Sequence, residues 1–393
     1  MSVTTLPLDD ADTRSVPLLK PGTVARSDKL ALPASPAVSS LKVTGASSST
    51  SSSVVTLPGG AQSYIASPGA VIQAGSGNDT IIASAGLVTV TGSSGQLEFI
   101  GGTGPSSVFG GAGSSTLVGG AGGGLYVGGA AGHNILASLG ASGVNTTLVG
   151  ATAGDQLLGS IAGNDLLNIG AGRETAAGGG GLTTINGGTG ASVIFTGSGA
   201  ATVNGGSLGG DTIVGGSGAL EVNAQKGDAI YGSGHLTVVG SRTGTDSITG
   251  GAGGLAVIGE GANMLVVAGA GGSQVVTGNG ASTIFAGSGL TQVIGGSGSL
   301  QVSLGSGIGA IAEASGNAIY DLVKGSAGGT YILTGFHPGT DKIDLYGYSP
   351  NDLKVITGPA STQLALTDGT KLSILGVTNL GNSIVTAGSL PTS

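Results

Sequence analysis

One short phrase recurs along most of this chain: a glycine-rich corner, a small polar residue, then three or four residues dominated by Val, Ile and Leu. "GTGPSSVFGG", "GAGSSTLVGG", "GGTGASVIFTG", "GNGASTIFAG" and "GSGLTQVIGG" are versions of it. The polar residues Ser273, Ser282 and Thr291 stand nine apart, and Asp155 and Asp165 ten apart. A period that short holds one strand and one tight turn, with no room for a helix. A backbone that turns so often needs positions without a Cβ, both for positive φ and for close chain approach. Glycine supplies 84 of the 393 residues, without collagen's every-third-residue spacing. The short strands then stack at about 4.8 Å per layer with apolar side chains pointing inward.

The expected fold is therefore all-β: a parallel β-roll or β-helix solenoid over residues 65–328, with a β cap at 329–393. Gly, Ser and β-branched residues also suit intermolecular, amyloid-like stacking, but regular spacing over so long a stretch favours the folded solenoid. Residues 1–64 are a different material: "LALPASPAVSSLKVTGASSSTSSSVV" has prolines and a serine run with little periodicity. It reads as an extended or disordered leader, or as a segment that orders by lying against the repeats. Residues 330–390 carry longer alternating runs, "KIDLYGY", "LKVITG", "QLALTDGTKLSILGV" and "NSIVTAG", divided by the turns "NDL" and "DGT". They predict a short antiparallel cap in which Tyr331, Phe336, Tyr346 and Tyr348 cover the last layer, a packing role weighed against an aromatic platform for sugars.

Several function classes fall away. The net charge of −8 comes without any basic cluster to follow a phosphate backbone, so nucleic acid is not an expected partner. Gly, Ser and Thr interrupt every apolar run well short of the roughly 20 residues of a membrane-spanning helix. There is no cysteine for disulfides or thiolate metal sites. "MSVTTLPLDDADTRSVPLL" has acids where a secretory signal has its positive start and apolar core, so export would need another route. His133, His235 and His337 lie about a hundred residues apart, and distant positions do not converge in a solenoid, so a shared catalytic or zinc cluster is not expected. No catalytic motif is present, and the chain is not expected to be an enzyme.

Calcium is the one ligand the repeats suggest. It takes six to eight oxygens, and a glycine corner can aim carbonyls at a site that an aspartate charges. "AGSGNDTII" fits the nine-residue calcium-loop pattern with Gly75, Gly77, Asp79 and Ile81. "SIAGNDLLN" keeps Gly163, Asp165 and Leu167, and "SLGGDTIVG" keeps Gly210, Asp211 and Ile213. Asp211, Asp228 and Asp246 are 17 and 18 residues apart, two nine-residue half-turns, so in a two-sided roll all three share one flank. They are candidates for a column of Ca2+ ligands, with turn-capping or surface aspartates as the alternative. Residues 99–154 and 261–312 contain no Asp, Glu, Lys or Arg and would have to cohere without ions.

These features resemble the RTX family, the haemolysin-type calcium-binding repeat proteins exported by bacteria. A further likeness is the tail phrase "YILTGFHPGTDKIDLYGYS" followed by "LALTDGTKLSILGV", with Phe336, Gly339, Asp341, Ile343, Asp344 and Leu345 in its recognisable positions. The resemblance implies a roll of short parallel strands, calcium-promoted folding outside the cell, Asp341 among the metal-associated residues, and type I export machinery reading an uncleaved C-terminal signal such as "LGNSIVTAGSLPTS". Only three to five repeats keep the family's aspartate, a departure that bears on calcium dependence. The leading expectation is a secreted bacterial protein, extracellular or at the cell surface, that self-associates into a matrix, surface layer, fibre or adhesive scaffold. Its rivals are a calcium-responsive binding or secretion module and a solenoid that binds or processes polysaccharide, with a cell-surface or polysaccharide partner.

Overall fold

The computed structural model describes residues 54–387. The chain winds as a two-sided parallel solenoid in which each coil contributes one strand to each of two sheets. The first sheet begins with Val54–Thr56 paired to Val71–Gln73, and the second with Gln62–Ala66 paired to Asp79–Ala83. Val54–Thr56 and Gln62–Ala66 thus bring solenoid strands into the stretch expected to be leader, because two β-branched residues at 54–55 already supply an edge strand. Residues 1–53 of that leader lie outside the described residues.

The nine-residue phrase is half a coil. Val275 lies beside Val293 and Val293 beside Ile311 in one sheet, while Val266 lies beside Ile284 and Ile284 beside Val302 in the other. Strands alternate inward and outward, as their period of two dictates. Ser282–Phe285 shows the pattern: Ser282 and Ile284 are buried, and Phe285 is exposed. Inward residues such as Ile72, Val90, Ile81 and Phe99 form a continuous narrow core between the sheets. That core needs few aromatics because β-branched and aliphatic side chains fill its small width; Phe99 and Tyr126, with ring centroids 6.0 Å apart, are among the exceptions.

Glycine's main contribution at the stacked corners is close approach. A Cβ on Gly271 would collide with the carbonyls of Gly253 and Ala252 in the coil beneath, and one on Gly289 would meet the carbonyl of Gly271. Neither residue needs a positive φ. Glycine recurs here because successive corners sit directly on one another, so a side chain on one would occupy the carbonyl of the next.

At the C-terminal end the parallel ladders persist: Thr330–Thr334 pairs with Lys371–Leu375, and Lys342–Tyr346 with Ile384–Ala387. An antiparallel meander of Leu353–Thr357, Ser361–Leu366 and Lys371–Leu375 is added to the first sheet. Tyr331, Phe336, Tyr346 and Tyr348 are all buried, as packing side chains of the cap. No helix among the described residues is long and apolar enough to cross a membrane.

Candidate functional site

The inward position two residues before the apolar residue of each second-sheet strand carries most of the buried acidic residues. Over seven successive coils it is Asn134, Asp155, Glu174, Ser192, Asp211, Asp228 and Asp246, all buried. Asp79 and Asp341 occupy the equivalent position nearer the two ends, where each precedes its inward isoleucine, Ile81 and Ile343, by two residues. The column therefore gathers Asp79, Asp211, Asp228, Asp246 and Asp341 on one flank, as the 17- and 18-residue spacings imply for the middle three. Asp165 is elsewhere: it lies on the first sheet, beside Thr146 and Thr183. The ten residues from Asp155 to Asp165 are one half-coil, which carries the chain across to the opposite sheet.

Each aspartate of the column does the same thing with its two oxygens. One accepts a backbone N–H from the coil before, and the other accepts an N–H from its own corner. Asp79 takes Gln62 at 3.0 Å and Gly75 at 2.7 Å. Asp155 takes Asn134 at 2.8 Å and Ala151 at 2.7 Å. Asp211 takes Ser192 at 2.7 Å and Gly206 at 2.6 Å, and Asp228 takes Asp211 at 2.9 Å and Gln225 at 2.8 Å. Asp246 takes Asp228 at 3.3 Å and Ser241 at 2.7 Å, and Asp341 takes Ala318 and His337. Corners leave peptide N–H groups that no strand partner reaches, and a buried N–H without an acceptor is costly. A short carboxylate spans two of them at once.

Burial makes these charges expensive. It pushes Asp228 up to about 6, helped by the neighbouring charges of Asp211 and Asp246 and opposed by its N–H donors. Glu174 is pushed up to about 7, chiefly by burial. Asp79 is raised by burial as well. In Glu174 the Gly170 N–H holds Oε1 at 3.0 Å, while Oε2 is buried without a hydrogen-bond partner.

As placed, this column does not fit a calcium cage. Calcium needs a convergent shell of oxygens, whereas the carboxylates of the column face N–H donors. Gly75 contributes its N–H rather than a carbonyl, and Gly77 serves close stacking on Gly60. Among the described residues, metal-ligating side chains converge in a group of three at one place only, Glu313, His337 and Asp341. His133 and His235 do not join it. Glu313 follows the strand Ile308–Ala312, and His337 and Asp341 form the corner before Lys342–Tyr346. Asp341 Oδ2 lies 3.6 Å from His337 Nδ1. Glu313 is pushed up to about 8 by burial and then by the adjacent Asp341 carboxylate.

Asn134, Asp155 and Glu174 were not singled out as site residues from the sequence, although each stands directly before a strand. Their spacings of 21 and 19 depart from the regular coil because extra residues enlarge the corners near 138–144 and 159–163.

The outward faces carry a different pattern. On the second sheet the residue after each inward apolar one forms a row in register: Ile82, Ile100, Val118, Ala137, Leu158 and Ala177, continuing through Phe195, Val214 and Tyr231 to Val267 and Phe285. Thr249 is its single polar member. On the first sheet the corresponding row holds an amide ladder, Asn168–Asn186–Asn204–Asn223, with Nδ2-to-Oδ1 hydrogen bonds of 2.7, 2.8 and 2.8 Å.

Compared with known proteins, the chain matches no protein-family model, and no curated protein matches it in sequence.

Proposed function

We propose that this protein is a structural scaffold that self-associates laterally through the outward face of its second sheet. The observation that carries this reading is the apolar row from Ile82 to Phe285. Twelve coils at about 4.8 Å give it a length of about 50 Å. Ile82, Ile100, Phe195, Tyr231, Val267 and Phe285 are exposed and the other apolar members half-buried, and an extended exposed apolar surface marks an interaction site. The partner that suits it is a second copy of the chain, because only another stack of coils repeats at the same pitch along that length. From the coil of Val118 to that of Phe285 neither outward row of this sheet contains a charged residue; Glu98 stands in the coil before. The net charge does not oppose the pairing there, since Asp79, Asp155, Asp165, Glu174, Asp211, Asp228 and Asp246 are buried inside the coils. Two such faces can pack at the roughly 10 Å separation of stacked sheets.

The tail phrase around Asp341 resembles that of exported RTX proteins, which supports an extracellular or cell-surface setting for the scaffold and release by a type I system. The role needs no catalytic centre, and it needs no calcium in the column. A second reading, polysaccharide binding, is favoured by two shallow clefts of about 380 and 400 Å³ around the first sheet. Thr184, Thr202, Glu221 and His235 line one, and Asn223, Lys226, Arg242 and Glu260 line the other. Electron microscopy of the purified chain over a concentration series, in calcium and in chelator, tests the scaffold. Ordered assemblies in both conditions support it. Monodisperse particles throughout, with retention on a glycan panel, would favour the second reading.

A further inference from the structure

We propose that Glu313, His337 and Asp341 form a binding site for one divalent transition-metal ion of the zinc class. Each offers one ligand atom, and the three atoms lie within 4.8 Å of one another. They come from two corners one coil apart, so the set is created by stacking.

The cluster joins an imidazole to two carboxylates, which the column does not, and two further observations point to a cation. First, two carboxylates lie side by side without a Lys or Arg partner among the ion pairs of the described residues. Such a pair requires a proton or a cation between its members. Second, Glu313 Oε1 is buried and has no hydrogen-bond partner, while Oε2 accepts from the Tyr320 hydroxyl at 3.3 Å. That hydroxyl orients the glutamate, and the N–H groups of Ala318 and His337 hold Asp341. Those N–H groups take only two of the roughly four lone-pair sites of a carboxylate. His337 is exposed, with 59% of its side chain open to solvent, and its Nδ1 lies 3.6 Å from Asp341 Oδ2.

One imidazole nitrogen and two carboxylate oxygens, with a fourth position for water, make a zinc-type donor set. The nitrogen ligand and the small ligand number weigh against calcium, which prefers six or more oxygens. A bound ion would tie the corner after Ile308–Ala312 to the corner before Lys342–Tyr346, stapling the last regular coils to the cap.

The test is calorimetric titration of the tag-free full-length chain with zinc chloride, with calcium chloride as the control, repeated on His337→Ala and Glu313→Gln. The expected result is one zinc equivalent bound by the wild type, with affinity reduced at least about 10-fold in both variants, and a zinc-dependent rise in melting temperature that both variants lose. Circular dichroism without metal establishes that the variants are folded; Asp341 is left intact because its carboxylate caps two backbone groups. Absence of zinc binding by the wild type, unchanged zinc affinity in either variant, or calcium binding as tight as zinc would overturn the assignment.

Discussion

Replacing Asp211 by Asn separates a backbone-capping carboxylate from a calcium ligand. In the native coil, Asp211 Oδ1 accepts the Ser192 N–H at 2.7 Å and Oδ2 accepts the Gly206 N–H at 2.6 Å. Asn retains one acceptor and places an amide donor against the other N–H. A hydrogen bond to a charged group contributes about 1.5–3 kcal/mol, and a buried N–H left unpaired costs about 1–3 kcal/mol. Relief of repulsion with the neighbouring Asp228 offsets part of this, leaving an expected net loss of about 2–3 kcal/mol. Solenoids need not unfold in one step, so the global denaturant midpoint should be paired with native-state hydrogen exchange at the Ser192 and Gly206 amides. Both amides should exchange faster in Asp211→Asn, and by the same factor in calcium as in chelator. Unchanged exchange, or a loss of stability seen only when calcium is present, would refute the capping account.

Two further outcomes follow from the same geometry. The folded state favours protonated Asp228 and Glu174, so their contribution is fully present below the ordinary carboxylate range and is lost as pH rises through about 6 and about 7. The denaturation midpoint should therefore be higher at pH 5 than at pH 8, and Glu174→Gln should flatten the upper part of that slope; a midpoint that rises across this range would contradict it. Gly271→Ala should cost at least about 1–3 kcal/mol, because its methyl group meets the Gly253 and Ala252 carbonyls, while Gly272→Ala next door, with only the Leu290 carbonyl at 3.9 Å, should be close to neutral in thermal melts.

The coil was legible because its period is written in residues that physics constrains twice, by glycine at the corner and by alternation in the strand. Nine residues from Ser273 to Ser282 mark passage from one sheet to the other, and 17 from Asp211 to Asp228 mark return to the same flank. The role of each aspartate was not legible. An Asp after a glycine corner is equally the mark of a calcium loop and of an N–H cap, and only the direction of its oxygens distinguishes them. Asn134 and Glu174 escaped notice because enlarged corners broke the spacing that would have aligned them with Asp211. The Glu313–His337–Asp341 cluster escaped for a related reason. The three histidines are indeed too far apart to meet, but a solenoid brings together residues one coil apart, and Glu313 and His337 are 24 residues apart across an enlarged coil. The outward apolar row was hidden too, since Phe195 and Phe285 look like core residues until the register turns them outward.

The central claim is lateral association through that row, and sedimentation velocity over a concentration series tests it most directly when wild type is compared with Phe195→Lys/Phe285→Lys. Both phenylalanines are 44% exposed, so the coils should tolerate the change and keep their melting temperature. The wild type should shift from monomer to larger species as concentration rises, and the doubly charged variant should remain monomeric. A wild type that stays monomeric across the series, or a variant that assembles equally well, would contradict the account.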